Sequence, residues 1–338
     1  MNAARVALIG AGRWARAHRD ALHALGMAPA AVLTSRPETA ARVRDEWDAF
    51  ATHELDAFLD VPSDAVIIAS PNHLHVPHAL ACLHADRHVL VEKPLALDLA
   101  GADEVRAAAQ AAGRVLAVGH EMRVFSLAEE ARRVLHEGWL GAPRQLGLDL
   151  WRRPYRGGAS GWKADPAKVG STILEEPIHY LDLARWLLGD PSWLHAFATS
   201  RAGHEGTYEN LSVHLGFGAE VQAAVTRSIA AWGHEVDLRL VGDEGTFRAV
   251  WRGRMDADDA PEVRAWLHDP GDRDALPAPH PIREASGHAF DLPRQMAAFL
   301  AAVAGEGPPP ADGRDGREAV RLCLEAERSV REGRLELA

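Results

Sequence analysis

The segment Gly10-Ala11-Gly12-Arg13-Trp14-Ala15 constrains this chain more than any other stretch of it. It follows an aliphatic run, Val6–Ile9, and opens a stretch with helical spacing, Trp14–Leu25. Between a strand and a helix, G-x-G-x-x-A has a mechanical meaning. Gly10 permits a tight turn, Gly12 lets the backbone approach a pyrophosphate, and Ala15 lets the helix lie close to the strand. The free amides of the first helical turn, at Arg13 and Trp14, then face the anion. The reading is a dinucleotide site at the first crossover of a parallel sheet.

The next hundred residues continue in the same manner. Short apolar runs at Ala31–Leu33, Ala65–Ala69, Val89–Val91 and Val115–Val118 read as buried parallel strands. Between them Glu38–Asp48, Leu74–Ala85 and Leu99–Ala112 have helical length and spacing. Ser35, with Pro37 and Glu38 behind it, predicts a capping box at the second helix. Beyond residue 122 the pattern changes. Helices are expected at Arg123–His136 and Ile173–Leu188 and strands at Arg144–Trp151, Trp193–Thr199, Leu211–Phe217, Val221–Ile229, Glu235–Val241 and Thr246–Ala249. The stretch Asp256–Pro281 reads as loop with a strand through Val263–Leu267, and helices Asp291–Val303 and Glu318–Glu332 close the chain. The fold class is α/β. A parallel-sheet domain over 1–122 carrying the dinucleotide site is followed by a second region over 123–338, whose closely spaced strands suit hairpin-type antiparallel connections.

Composition narrows the function. The 338 residues suit two domains. A formal charge of −11 argues against sequence-independent nucleic-acid binding, which depends on neutralising phosphates. No apolar run approaches the roughly 20 residues a membrane helix needs. The first residues run straight into Val6 without a signal-peptide core, and Cys82 and Cys323 stand far apart. We therefore expect a cytoplasmic protein without a disulfide framework or a structural metal. His73, His75 and His78 cluster in sequence, but the three need not converge, third and fourth ligands are not evident, and no metal is expected. Of the 37 basic residues only Lys93, Lys163 and Lys168 are lysines. An amine can release its proton and a guanidinium cannot, so a lysine kept at a strand end is a candidate for chemistry.

The second strand ends Leu33-Thr34-Ser35-Arg36, without the acid that usually holds the ribose hydroxyls of NAD. Ser35 and Arg36 suit a 2′-phosphate, which favours NADP(H) over NAD(H).

These features, with Ser70-Pro71-Asn72-His73-Leu74-His75, Glu92-Lys93-Pro94, Trp162-Lys163, the Gly170–Asp182 segment, Gly242-Asp243-Glu244-Gly245 and Asp315-Gly316-Arg317, resemble the Gfo/Idh/MocA oxidoreductases nearly end to end. The resemblance implies an N-terminal Rossmann domain over 1–122, a substrate-binding C-terminal α/β domain over 123–338 with an open, largely antiparallel sheet, a nicotinamide cofactor and a carbohydrate or polyol substrate. It also implies a homodimer or homotetramer built through the C-terminal sheet. It assigns Ser70, Pro71, Asn72, His75, Glu92 and Lys93 to the cofactor site, and turns the Lys93 amine toward the substrate. The Lys93-Pro94 bond is a candidate for a cis peptide. In the second domain the H-x-x-D pattern falls on His179 and Asp182, and Glu175 occupies the place of the family's Asp, four residues before the histidine. Residues four apart share a helix face, so Glu175 and His179 form a dyad if the first turn is helical. Lys93, His179 and Glu175 are thus the expected catalytic residues. Trp162 and Arg152 are the expected substrate contacts, beside Trp151, Arg153 and Tyr155. Met122 stands where relatives carry the first of two consecutive arginines.

Three function classes suit this reading: an NAD(P)-dependent oxidoreductase, an NAD-dependent glycoside hydrolase with transient redox, and a non-enzymatic dinucleotide-binding regulator. Retention of both Lys93 and His179 favours the first.

Overall fold

The central strands of the first sheet are buried on both faces, so their residues are mainly apolar without alternation. A computed structural model describes residues 4–153, 161–200, 208–253, 261–268, 271–272, 274–282 and 291–333. Its first elements are β1 (Val6–Ile9), α1 (Arg13–Ala24), β2 (Val32–Leu33), α2 (Pro37–Trp47), β3 (Ala51–Thr52) and α3 (Leu55–Leu59). They continue with β4 (Ala65–Ile68), α4 (His75–His84), β5 (His88–Glu92), α5 (Leu99–Ala112) and β6 (Leu116–Gly119). The six strands lie in the order β3-β2-β1-β4-β5-β6, all parallel. The order reverses beside β1, the place where open α/β sheets bind their ligands.

The remaining elements are α6 (Ser126–His136), β7 (Pro143–Trp151), α7 (Pro166–Val169), α8 (Thr172–Glu175), α9 (Ile178–Leu188), β8 (Trp193–Thr199), β9 (Asn210–Phe217) and β10 (Val221–Ser228). After these come β11 (His234–Gly242), β12 (Thr246–Gly253), β13 (Glu262–Leu267), β14 (Ala278–His280), α10 (Leu292–Val303) and α11 (Gly313–Glu332). The eight strands form a sheet ordered β14-β13-β12-β11-β7-β10-β9-β8, antiparallel except where β10 meets β7. One face is apolar, with Leu146, Leu148, Val225, Leu238, Leu240 and Ala249 buried. The other carries charge ladders such as Arg248–Asp237 at 2.7 Å.

The chain divides into two compact units. Each unit is discontinuous in sequence. The first unit is Met1–His120 with Trp162–Gly170 and Leu292–Arg321; the second is Glu121–Gly161, Ser171–Asp291 and Leu322–Ala338. Late segments return to the first unit because they complete its surface: Phe299 and Met296 of α10 join the core of Leu22 and Val43, and Asp312 bridges Ala117 beside β6.

Local departures from the sequence reading have physical causes. β3 has two residues, too few to show a period. α2 starts at Pro37 with Arg36 as N-cap and no side-chain cap bond, so the Ser35 capping box does not form. The helix expected over Ile173–Leu188 is two helices, because Glu176 leaves helical geometry (φ −138°, ψ −50°) ahead of Pro177. α11 starts at Gly313, where Asp312 and Asp315 accept each other's backbone N–H at 2.9 and 3.1 Å. Among the described residues no helix is long and apolar enough to cross a membrane.

Candidate functional site

In the first unit the glycine turn is built as its motif requires. Gly10 has φ +120°, and a Cβ there would lie 2.6 Å from the Ala69 carbonyl oxygen. Gly12 is the N-cap of α1, and a Cβ on it would meet nothing within 4 Å. That open space, with exposed Arg13 and half-buried Trp14 starting a helix that has no acid in its first turn, fits a pyrophosphate. At the end of β2, Thr34 Oγ1 donates to the Arg36 carbonyl at 3.0 Å, while Ser35 and Arg36 are exposed.

Two further strand ends lie side by side because β4 and β5 pair. After β4, Pro71 caps a single 3₁₀ turn, Asn72–Leu74, that runs into α4. Asn72 is buried and its Nδ2 donates to the Val169 carbonyl at 3.0 Å, which ties the Trp162–Gly170 segment to this loop. His75, expected to line the cofactor, is 1% exposed and sits between two carbonyls: Nδ1 is 2.7 Å from Pro94 O and Nε2 is 2.9 Å from Ser70 O. It brackets the two strand ends together. Burial pushes its pKa down against those two contacts. His78 Nδ1 lies 3.0 Å from Ser70 Oγ.

Glu92, also expected at the cofactor, ends β5 with its carboxylate inside the unit, 2.6 Å from His18 Nε2. Lys93, half-buried, follows it, and the Lys93–Pro94 peptide is cis as the sequence reading expects. Trp162 sits on a 3₁₀ turn, Gly161–Ala164, with Lys163 Nζ 5.4 Å from its ring centroid. It belongs to the first unit, with the nucleotide-binding elements.

In the second unit the polar groups converge on the start of α9. His179 is 6% exposed, and its Nε2 lies 3.5 Å from Glu121 Oε1, a carboxylate itself 1% exposed. The interruption at Pro177 removes the continuous helix on which the Glu175–His179 spacing rested; Glu175 ends α8 and His179 lies in the first turn of α9. Glu176 is gripped by Arg227 Nε at 2.6 Å and by Arg152 Nη1. Burial raises its pKa, but the charges of Arg227 and Arg152 outweigh burial and hold it below the usual range. Arg152, expected to meet substrate, thus holds an internal acid. Asp182 takes a bidentate bond from Arg123, at 2.6 and 2.7 Å, with both side chains almost wholly buried. Trp151 and Arg153 are exposed at the end of β7, and Tyr155 lies outside the described residues.

Sequence reasoning missed His18, Glu121, Arg123 and Arg227. His18 had a signal: it lies three residues after Ala15 and four before Leu22, a polar residue within the buried stripe of α1. Glu121 and Arg123 flank the Met122 departure, and only the fold pairs them with α9. Among the described residues no three His, Cys, Asp or Glu side chains group so as to hold a metal ion.

Residues 4–120 match the model of an oxidoreductase family with an NAD-binding Rossmann fold, and residues 128–248 match the Gfo/Idh/MocA C-terminal domain. The 1,5-anhydro-D-fructose reductase of Ensifer adhaerens is 31% identical over 267 residues, 76% of this chain and 74% of that enzyme. The UDP-N-acetylglucosamine 3-dehydrogenase of Acidithiobacillus ferrooxidans is 27% identical over 338 residues, 96% of this chain and 97% of that enzyme. In fold, the chain resembles the WlbA dehydrogenase of Bordetella pertussis, solved with NADH and UDP-GlcNAcA, with a TM-score of 0.83 at 22% identity over 99% of both chains. The glycine turn, the bracketed strand ends and these likenesses together place the chain in the Gfo/Idh/MocA family of NAD(P)-dependent oxidoreductases.

Proposed function

We propose that this oxidoreductase acts on a ring carbinol or carbonyl of a carbohydrate or polyol, with Lys93 and His179 handling the oxygen. The relatives named above act on an anhydro-sugar and a sugar nucleotide. A myo-inositol 2-dehydrogenase of Thermotoga maritima is also 26% identical over 83% of this chain. The observation that carries the reading is the His75 bracket, which holds the segment bearing Lys93 against the loop bearing Ser70 and Asn72.

In the oxidising direction His179 takes the hydroxyl proton and Lys93 stabilises the negative charge that grows on the oxygen. A nicotinamide cofactor held at the Gly10–Ala15 turn would supply the hydride acceptor for the carbinol carbon. Glu121, 3.5 Å from the imidazole, orients it and stabilises its protonated form, taking the role the sequence spacing gave to Glu175. Trp162 offers a face to sugar C–H groups. Replacing Lys93 by Met is expected to leave cofactor affinity within about twofold and to remove turnover by 10²-fold or more. Unchanged turnover on a polyol and anhydro-sugar panel overturns the assignment.

We assign the cofactor as NADP(H), with NAD(H) the weaker ligand. Ser35 is not used as a helix cap and Arg36 is exposed beside it, with no acid at the end of β2 to repel a phosphate. NADP(+) is the cofactor named for an inositol dehydrogenase relative of Bacillus subtilis, and NADH is bound in the WlbA neighbour. Quenching of tryptophan fluorescence by NADPH and by NADH tests the preference, and equal affinities sink it. The charged face of the eight-stranded sheet, with Trp193 and Phe197 about half exposed on β8, is the surface we assign to homo-oligomer contact. Cys82 and Cys323, both buried thiols, suit a reducing cytoplasm.

A further inference from the structure

The end of β5 holds an acid that the reaction as proposed does not touch. Glu92 is 5% exposed, and its carboxylate lies 2.6 Å from Nε2 of His18, which is 0% exposed. Across the sheet Glu92 pairs with Gly119 of β6. A Cβ on Gly119 would fall 2.9 Å from three atoms of the carboxyl group, so the acid fills the space that glycine leaves. Burying a carboxylate costs several kcal/mol unless partners compensate it, and an apolar side chain would fill this position more cheaply. The acid sits one residue before Lys93, at the turn that sets where the amine goes.

We infer that the buried His18–Glu92 pair is a positioning device for Lys93, pinning the end of β5 to α1 and keeping a fixed negative charge beside the amine. The inference rests on the reading of Lys93 as the group that meets the substrate oxygen. It makes Lys93 a standing ammonium, a hydrogen-bond donor to that oxygen, and not a neutral base. The groups bearing on Glu92 come from each neighbouring element: His18 from α1, His75 from α4, and Lys93 next in the chain. α1 also contributes the Trp14 side chain, which hydrogen-bonds the acid, and β6 contributes Gly119, with His120 following it; the β4 register ends one residue short, at Ile68 opposite Val91. Burial alone raises the Glu92 pKa. The His18 hydrogen bond and charge, with the Lys93 charge, hold it below the usual range, so the acid stays ionised at neutral pH.

The three lysines of the chain make the test direct. Lysine labelled with ¹³C at Cε and ¹⁵N at Nζ gives one side-chain signal for each of Lys93, Lys163 and Lys168, assigned with K93M, K163R and K168R. The pH midpoint of each signal is read in the full-length chain. Glu92→Gln, which keeps the shape and removes the charge, is expected to lower the Lys93 midpoint by about one pH unit or more and to leave Lys163 and Lys168 in place. Glu92→Asp, which keeps the charge, restores the midpoint to within about 0.3 units. His18→Leu, a second route for use if the Gln variant folds poorly, strips the donor and weakens the hold on the ionised acid while Trp14 and the Lys93 charge remain, so the Lys93 midpoint is expected to fall in the same direction by a smaller amount. A Lys93 midpoint that stays at the wild-type value in the Gln variant, or in the His18→Leu variant, overturns the inference. The titration needs no substrate. Loss or retention of turnover in Lys93→Met judges the catalytic reading separately, so either can fail without the other.

Discussion

At the strand ends of the first unit, the groups that matter arise within a few residues of a turn. Gly10 and Gly12 close β1, Ser70 to His75 follow β4, and Glu92 to Pro94 follow β5. Around α9 in the second unit the partners come from distant segments: Arg123 reaches Asp182 across 59 residues, and Arg227 reaches Glu176 across 51. In the first arrangement the glycine turn is written in local backbone requirements that each residue meets alone, and the long-range ties, Asn72 to Val169 and His18 to Glu92, are added to motifs already local. The second exists only after the chain has folded, and each of its members is a liability without its partner. A substitution in the first region should therefore disturb binding more than stability, and one in the second the reverse.

The largest effect is expected at Asp182→Ala. It leaves Arg123, almost wholly buried, without its bidentate partner, and breaking such a pair costs about 3–5 kcal/mol. Urea denaturation should show that loss as a fall in midpoint. A loss under 1 kcal/mol would mean that Arg123 finds water on the mutation, and that the second region is less interdependent than the comparison holds.

The glycine turn separates the two kinds of cost within three residues. Gly10→Ala forces a side chain onto φ +120° and against the Ala69 carbonyl, and should cost about 2 kcal/mol. Gly12→Ala places its methyl in open space, so the fold should be unaffected to within about 0.5 kcal/mol while NADPH affinity falls tenfold or more. Thermal melting and fluorescence titration read the two effects. A Gly12→Ala protein that binds NADPH as the wild type does would remove the pyrophosphate from this turn.

The same contrast explains what the sequence disclosed. The parallel strands, the glycine turn and the strand-end motifs were legible because hydrophobic period and glycine placement are local signals. β3 and α3 were not, being only two and five residues long. The interruption at Pro177 was legible in principle, since proline interior to a helix breaks it. Reading the His179 segment through its four-residue spacing to Glu175 hid that signal. Glu121 beside His179 was beyond reach: nothing in a 58-residue separation says that a 3₁₀ turn after β6 and the first turn of α9 will meet. His18 lay between, visible as a polar residue on a buried stripe, with its partner Glu92 hidden 74 residues away.

The smallest effect concerns acid stability, and it bears on the bracket around Ser70. Burial, then the charges of His75 and His73, push the His78 pKa down to about 4 from an ordinary 6.5. A depressed folded-state value means the unfolded chain takes up the proton first. The contribution is intact above pH 6.5 and is lost as pH falls from there toward 4. Between pH 7 and pH 5 this histidine should therefore cost the wild type on the order of 1 kcal/mol. His78→Asn keeps a polar group near Ser70 Oγ, 3.0 Å from the wild-type Nδ1, and removes the titration. Urea midpoints at the two pH values should draw apart less in the variant than in the wild type, whatever His75 and the other histidines contribute to both. Equal separations would show that water reaches His78 well enough to protonate it in the folded state. The strand-end loop would then be looser than the His75 contacts with Ser70 and Pro94 imply, and the first region would lose its claim to be the pre-set half of the molecule.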